Sequence, residues 1–276
     1  LGFGAATARR VPTDDQGRMR ADKLREILNE ISGPVIVCAQ AGNVNTGAFD
    51  PIDEIATILA QWNQHAWLHI DGAFGLWAAT SPARAHLVKG IERADSIATD
   101  GHKWLNVPYD SGIVFCAHPE SHRGAMSLSA AYIQATAVER DPHEFVPEES
   151  RRGRAVPIYA ALRSLGTRGV GDMIERCCQH ATRMATALAA HPHVRVLNDV
   201  VLNQVLVRFE PPGQDADDVT RAGIAGVQED GTCWAGITTW QGRTAMRISV
   251  SSWATTDEDV ERSLAAMVRV GRMARG

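Results

Sequence analysis

A short apolar run that ends on an acid decides the fold of this chain: residues 67–73 read WLHIDGA. Residues 67–70 predict a strand, and Asp71 stands at its carboxyl end with small residues after it. In open α/β sheets, ligands gather at the carboxyl ends of strands, and small residues let a flat ligand approach the backbone. The stretch therefore predicts a central strand that presents a carboxylate to a ligand.

Helical and strand-like segments alternate around this stretch. Apolar spacing in residues 20–31 predicts a helix, and residues 50–53 predict the start of a second helix, with Asp50 as its cap and Pro51 at the first helical position. Further apolar runs predict strands over residues 35–39, 96–99 and 112–116. Strands that alternate with helices are typical of a parallel α/β layer.

The pattern changes beyond residue 118. Residues 119–155 have weak periodicity and predict a bridge or a mobile loop, and residues 156–190 predict a helix. The remainder predicts a separate α+β domain, with strands over 194–197, 201–209, 232–239 and 244–250 and helices over 215–229 and 257–273. Residues 255–258, reading TTDE, predict the start of the last helix. We therefore expect three parts: residues 1–118, 119–165 and 166–276.

Composition and charge argue against several classes of function. The 276 residues contain 28 Lys and Arg against 32 Asp and Glu, a net charge of −4, and 45% are hydrophobic, which predicts a soluble globular protein with a sizeable core. The chain has no basic block typical of nucleic-acid binding and no apolar run near the roughly 20 residues of a membrane span. It also lacks the glycine motifs of nucleotide binding and the serine motif of hydrolases. We expect neither a nucleic acid nor a membrane as partner.

Five scattered cysteines predict reduced thiols and a cytoplasmic protein rather than a disulfide framework. We assign no metal to them. His65 and His69 are a weak zinc candidate, because the segment between them predicts entry into a strand. The first residue is Leu1 rather than Met, so we expect the start of the chain to be cut.

A second motif places an imidazole and an amine just beyond another predicted strand: residues 95–104 read DSIATDGHKW. We expect Asp71, His102 and Lys103 to converge on one crevice. An amine in a low-dielectric pocket can attack aldehydes, and a carboxylate that faces a pyridine nitrogen keeps that nitrogen protonated. Two structural alternatives stand beside this interpretation: Asp71 and Lys103 form a buried ion pair, or His102 and Lys103 cap a turn.

Four longer strings carry a wider pattern: NTGAFDP at 45–51, WLHIDGA at 67–73, ADS at 94–96 and HKW at 102–104. Their order and spacing, with the acid and the lysine 103 − 71 = 32 residues apart, resemble the group II pyridoxal-phosphate-dependent decarboxylases. That family includes the glutamate and aromatic-amino-acid decarboxylases. The resemblance runs from about residue 10 to the end and is strongest over residues 35–117.

The resemblance implies a fold and a domain plan. The fold is that of the PLP-dependent transferases, fold type I, as in aspartate aminotransferase. Residues 1–118 would be the later part of the α/β large domain that binds the cofactor, and residues 166–276 a C-terminal α+β small domain. Family members are longer, and their early part supplies a histidine stacked on the cofactor and the phosphate cradle, so the chain would be N-terminally truncated.

The resemblance also implies roles for individual residues. Lys103 would be the Schiff-base lysine and Asp71 the partner of the pyridine nitrogen of pyridoxal 5'-phosphate. Ala73 would lie against one face of the ring. His102 would contact the cofactor phosphate or the reacting centre.

Three further residues complete the implied site. Thr46 and Asn43 would bind the cofactor, with Asn43 in place of the hydroxyl that other members have near the ring oxygen. Arg247, in the string AMRIS at 245–249, matches the arginine that holds a substrate carboxylate in glutamate decarboxylase-like members. An ordinary surface ion pair is the alternative for Arg247.

This chain departs from the family pattern at two places. Asp100-Gly101 stands where the family often has Asn-Pro, and an acid near a phosphate would be unfavourable unless it points away. The residues that match a mobile family loop, 141–145, contain no tyrosine to protonate the product. His143 could donate that proton, with a solvated loop histidine as the alternative, and Tyr132 lies too early.

The implied function is decarboxylation of a small-molecule amino acid to an amine by a homodimer. Transamination or aldehyde formation with the same cofactor is the first alternative. A non-catalytic remnant that kept the fold but lost the phosphate cradle is the second.

Overall fold

The first half of the chain forms a four-stranded sheet with the strand order β1-β2-β3-β4. The computed structural model describes residues 2, 4–62, 64–127 and 141–273. Strands β1 (Val35–Gln40), β2 (Ala66–Asp71) and β3 (Ser96–Asp100) run parallel, whereas β4 (Gly112–Cys116) is antiparallel to β3. The predicted parallel layer is confirmed for three strands and wrong for the fourth. The connection from β3 to β4 is short, and parallel strands need a crossover of about a dozen residues or more.

Two helices cover one face of this sheet, α1 (Ala21–Asn29) and α2 (Ile52–Gln61). Leu28 of α1 and Ile55 of α2 belong to the same buried cluster as Ile70 of β2. The apolar spacing that predicted the helices is therefore the spacing of the buried face.

Asp50 does not cap α2, and that prediction is wrong. Its carboxylate instead accepts the backbone N–H of Met19 at 2.6 Å and that of Gln40 at 2.7 Å. Burial raises the pKa of Asp50, and the two N–H donors offset part of this rise. The residue fastens the N-terminal segment to the end of β1 rather than opening the helix.

The second half of the chain forms an antiparallel sheet with the order β5-β6-β8-β7. Its strands are β5 (Val194–Val196), β6 (Gln204–Phe209), β7 (Gly236–Trp240) and β8 (Arg243–Ser249). The predicted strands over 201–209 and 232–239 are too long at their starts. Before β6 the chain turns, with the N–H of Val201 donating to the carbonyl of Asp199 at 2.8 Å, so these residues are not extended.

Five further helices complete the described fold: α3 (Gly101–Trp104), α4 (Pro119–Met126), α5 (Ala155–Ala189), α6 (Ala216–Asp230) and α7 (Asp257–Met273). The predicted start of α7 is confirmed, because Thr256 and Asp259 form reciprocal hydrogen bonds. The N–H of Asp259 donates to the Thr256 hydroxyl at 3.2 Å, and that hydroxyl donates to the Asp259 carboxylate at 2.7 Å.

Helix α5 connects the two sheets. It matches the predicted helix in extent, but Gly166 (φ 62°, ψ 178°) breaks the helical backbone inside it. Beyond the break, Glu175 accepts a hydrogen bond from Arg84 at 3.0 Å, and Arg84 also donates to the Val201 carbonyl at 2.7 Å.

The division of the chain at residues 118/119 and 165/166 stays a prediction, and Tyr132 lies outside the described residues. Across the described ranges, no helix combines the length and the apolar character that crossing a membrane would require.

Candidate active site

Asp71 lies at the carboxyl end of β2, with its side chain exposed. The register pairs it with Gln40 of β1 and Ala98 of β3, so it stands in the middle of the sheet edge. One carboxylate oxygen, Oδ1, accepts the N–H of Ala73 at 3.1 Å. This bond turns the chain sharply after the strand and leaves the carboxylate at the surface of the edge.

Two close backbone contacts hold that turn in place. Gly75 donates its N–H to the Ala41 carbonyl at 3.0 Å, and a Cβ added at Gly75 would lie 2.3 Å from that oxygen. The Thr99 hydroxyl donates to the Gly72 carbonyl at 2.8 Å. The turn after β2 is therefore fixed against the ends of both neighbouring strands.

Lys103 follows the next strand end, in the single turn of α3. Its Nζ lies 2.8 Å from the Asp100 carboxylate and 5.1 Å from the centroid of the Phe74 ring. Phe74 comes three residues after Asp71, so the amine and the acid occupy the same edge of the sheet. The alternative of an Asp71–Lys103 ion pair does not describe this geometry, because the lysine pairs with Asp100.

His102 is held from two sides. The N–H of Ser111 donates to its Nδ1 at 3.0 Å, and the Tyr109 ring lies with its centroid 4.2 Å from the imidazole centroid. The same Nδ1 also lies 3.1 Å from the Ser111 carbonyl, so it can accept from the N–H or donate to the carbonyl, and Nε2 lies 3.7 Å from the Asp100 carboxylate. His102 thus fixes the turn before β4, as one alternative expected.

Thr46 and Asn43 hold the loop between β1 and α2. Thr46 is fully buried, and its hydroxyl donates to the Gln16 carbonyl at 2.7 Å. Asn43 accepts the N–H of Asn45 at 2.9 Å and donates to the Gln40 side chain at 2.9 Å. The interior position of Thr46 gives it a structural task in this loop, and its contact with the cofactor stays a prediction.

Arg247 lies on β8 and reaches the same loop. Its Nη1 donates to the Val44 carbonyl at 3.2 Å, and the neighbouring strand contributes a bond from the Thr238 hydroxyl to the Asn45 side chain at 2.9 Å. Within the described ranges Arg247 makes no salt bridge, which is the opposite of the surface ion pair considered for it. The C-terminal sheet therefore contributes a guanidinium beside the 42–48 loop.

His143 is not a solvated loop histidine. Only 15% of its side chain is exposed, and its Nδ1 lies 2.7 Å from the Asp141 carboxylate. The hydrogen bond from His143 lowers the pKa of Asp141. The contact of His143 is therefore with Asp141, two residues earlier in the same segment.

Two residues of this site could not be predicted from the sequence: Tyr109 and Ser111. A tyrosine in a loop or a serine before a strand carries no specific signal, so these contacts appear only in the fold. A clearer signal was available in the lysine count, because the chain contains only Lys23, Lys89 and Lys103. The other two lysines, Lys23 and Lys89, pair with Glu26 of α1 and Asp53 of α2.

An acid, an amine and an imidazole therefore stand at the carboxyl edge of an α/β sheet, which is where ligands gather in open sheets. Residues 3–210 match the family model described as the pyridoxal-dependent decarboxylase conserved domain. The chain belongs to this family.

Curated relatives agree with this assignment. The chain is 28% identical to the L-2,4-diaminobutyrate decarboxylase of Rhizobium meliloti (strain 1021), over 99% of this chain and 56% of that protein. It is 30% identical to the aromatic-L-amino-acid decarboxylase of Bacillus atrophaeus, over 76% of this chain and 45% of that protein. The chain thus spans about half the length of these relatives.

Solved structures share the fold. Oryza sativa TDC, solved with PLP and tryptamine, superposes with a TM-score of 0.90 at 22% identity, over 99% of this chain and 59% of that chain. Mouse CSAD gives a TM-score of 0.89 at 23% identity, over 98% of this chain and 60% of that chain. The expected fold class, a partial fold type I large domain with a C-terminal α+β domain, is confirmed.

Proposed function

We propose that this chain carries the lysine and the acid of a pyridoxal 5'-phosphate site and that the protein decarboxylates an amino acid to an amine. The observation that carries the proposal is the placement of Asp71 and Lys103 at adjoining strand ends, joined through Phe74. Membership of the pyridoxal-dependent decarboxylase family supports the same chemistry.

The chemistry of the side chains fits the cofactor. The exposed Asp71 carboxylate suits a protonated pyridine nitrogen, and 30% of the Lys103 side chain is accessible to an aldehyde. Ala73 is small enough to let a flat ring approach the turn after β2. His102 would contact the cofactor phosphate or the reacting centre, and it can donate from Nε2 when that nitrogen carries the ring proton.

Each residue has a distinct task in this proposal. Lys103 would hold the cofactor through its aldehyde carbon, and Asp71 would contact the pyridine nitrogen. When bound, the cofactor supplies an electron sink for the electron pair that remains as CO₂ leaves. Arg247 would orient the substrate by its carboxylate, because a guanidinium forms paired bonds with that group. Asn43 would contribute a further cofactor contact from the 42–48 loop.

An absorbance experiment tests the lysine. Added pyridoxal 5'-phosphate should give the chain a visible absorption band that Lys103→Ala lacks. Lys89→Ala is the matched control, since the Lys89 side chain is 78% exposed and pairs with Asp53, and it should keep the band. A band that survives in Lys103→Ala would contradict the proposal, and a parent chain without a band would favour the non-catalytic remnant.

Product analysis separates the possible reactions. Decarboxylation yields CO₂ and an amine, whereas transamination yields a keto acid together with pyridoxamine phosphate. Oxidative aldehyde formation consumes O₂ and water and yields an aldehyde, CO₂, ammonia and hydrogen peroxide. We expect CO₂ and amine in equal amounts, and a keto acid as the main product would contradict the proposed reaction.

A homodimer and a cytoplasmic location belong to the same proposal. Five free cysteines, two of them the buried pair Cys177 and Cys178, support a reducing compartment. Light scattering of the purified protein should give a mass of two chains, and a monomer mass would contradict the dimer.

A further inference from the structure

Asp100 is the one acid in contact with the Lys103 amine among the described residues. The pair spans three positions, at 2.8 Å, with 23% of the Asp100 side chain exposed. The same carboxylate lies 3.7 Å from Nε2 of His102. The Asp100 carboxylate therefore faces into the candidate site, next to both His102 and Lys103.

Hydrogen bonds hold the backbone of Asp100 on both sides. Asp100 is the last residue of β3 and pairs with Gly112 of β4, and its carbonyl accepts the Trp77 indole N–H at 3.2 Å. The N–H of Gly101 donates to the Ser111 carbonyl at 2.8 Å. With the strand end fixed on both sides, the side chain of Asp100 points at the turn that carries Lys103.

We propose that Asp100 is a positioning residue that restrains the Lys103 amine and slows its reaction with an aldehyde cofactor. The inference rests on the proposed function. Both contacts of Nζ, the carboxylate and the Phe74 ring face, are contacts of a charged ammonium. Attachment forms a bond between the Lys103 nitrogen and the aldehyde carbon and releases one water and one proton. The ion pair has to break before that bond forms.

The strength of the pair sets the size of the effect. A partly exposed ion pair of this kind changes an equilibrium or a rate by about 2–5-fold. Asp100→Asn keeps the shape of the side chain and removes its charge, so it should capture the cofactor about 2–5-fold faster. Asp100→Glu restores the charge and should return the rate toward that of the parent.

The experiment measures capture in time. The cofactor-free chain is mixed with pyridoxal 5'-phosphate at fixed pH, samples are reduced with borohydride at intervals, and mass spectrometry counts the adduct on Lys103. Glu26→Gln is the matched control, because Lys23 and Glu26 form an ion pair of the same spacing at 2.7 Å on α1. It should leave the rate on Lys103 unchanged.

The outcomes separate this inference from the proposed function. Faster capture in Asp100→Asn, with parent-like rates in Asp100→Glu and Glu26→Gln, supports the role of Asp100. Equal or slower capture in Asp100→Asn overturns it while leaving the proposed function intact. A parent chain that forms no adduct on Lys103 overturns both.

Discussion

Gly75 offers a sharp test of how the candidate site is held together. A Cβ at this position would lie 2.3 Å from the Ala41 carbonyl oxygen, 2.4 Å from the Ala41 carbonyl carbon and 2.7 Å from the Gly42 nitrogen. These are backbone atoms, so relief requires a shift of the turn after β2 or of the end of β1. Overpacking of this kind costs about 1–3 kcal/mol. The bond from the Gly75 N–H to Ala41, at 3.0 Å, adds about 0.5–1.5 kcal/mol if the shift breaks it.

Gly75→Ala should therefore lower the free energy of unfolding by about 2–4 kcal/mol. Urea unfolding followed by circular dichroism measures this change. Gly124→Ala is the matched control, since no heavy atom of the described residues lies within 4 Å of its Cβ position in α4. Alanine should stabilise that helical position by about 0.5–1 kcal/mol. A Gly75→Ala chain as stable as the parent would refute the close approach of the two strand ends.

Three further predictions address chemistry, acid stability and thiol reactivity. Asp71→Asn should keep the cofactor bond to the lysine but slow decarboxylation by about 100-fold or more, measured as CO₂ release, because the ring loses its charged partner; unchanged turnover would contradict the role of Asp71. Burial raises the pKa of Glu175, but hydrogen bonds from Arg84 and Ser81 lower it by more, so the folded pKa lies below the ordinary value of 4.5. The ionised Glu175 therefore stabilises the fold above pH 4.5, and this stabilisation is lost as the pH falls through the folded pKa. The stability advantage of the parent over Glu175→Gln in urea unfolding should shrink between pH 6 and pH 3, and a constant difference would count against the pair. Burial raises the pKa of the Cys178 thiol to about 12, so iodoacetamide at pH 8 should label Cys178 only after the protein unfolds, and later than the exposed Cys38. Equal labelling of the two cysteines, measured by mass spectrometry, would contradict the burial of Cys178.

Much of the sheet edge could be predicted from the sequence because its signals are local. Apolar runs of four to six residues that end on Asp71 or Asp100 mark buried strands, and the structure places both acids at strand ends. The order of these strings also led to the fold class. The local sequence pattern was enough to predict a residue's position wherever that position depends only on its own strand or helix.

Tasks that depend on distant partners could not be read in this way. Asp50 has the sequence position of a helix cap, yet it binds Met19, which is 31 residues away. Thr46 has the position of a cofactor contact, yet its hydroxyl is bound by Gln16 in the interior. These contacts arise from packing between elements, which sequence periodicity does not encode.

The central claim is that Lys103 is the residue that binds pyridoxal 5'-phosphate. Borohydride reduction of the chain in the presence of the cofactor, followed by proteolysis and mass spectrometry, tests it most directly, because Lys23 and Lys89 are the only competing side-chain amines. The account predicts one cofactor mass on the peptide that contains Lys103 and little on the other two. Adducts spread evenly over the three lysines, or absent from Lys103, would contradict it.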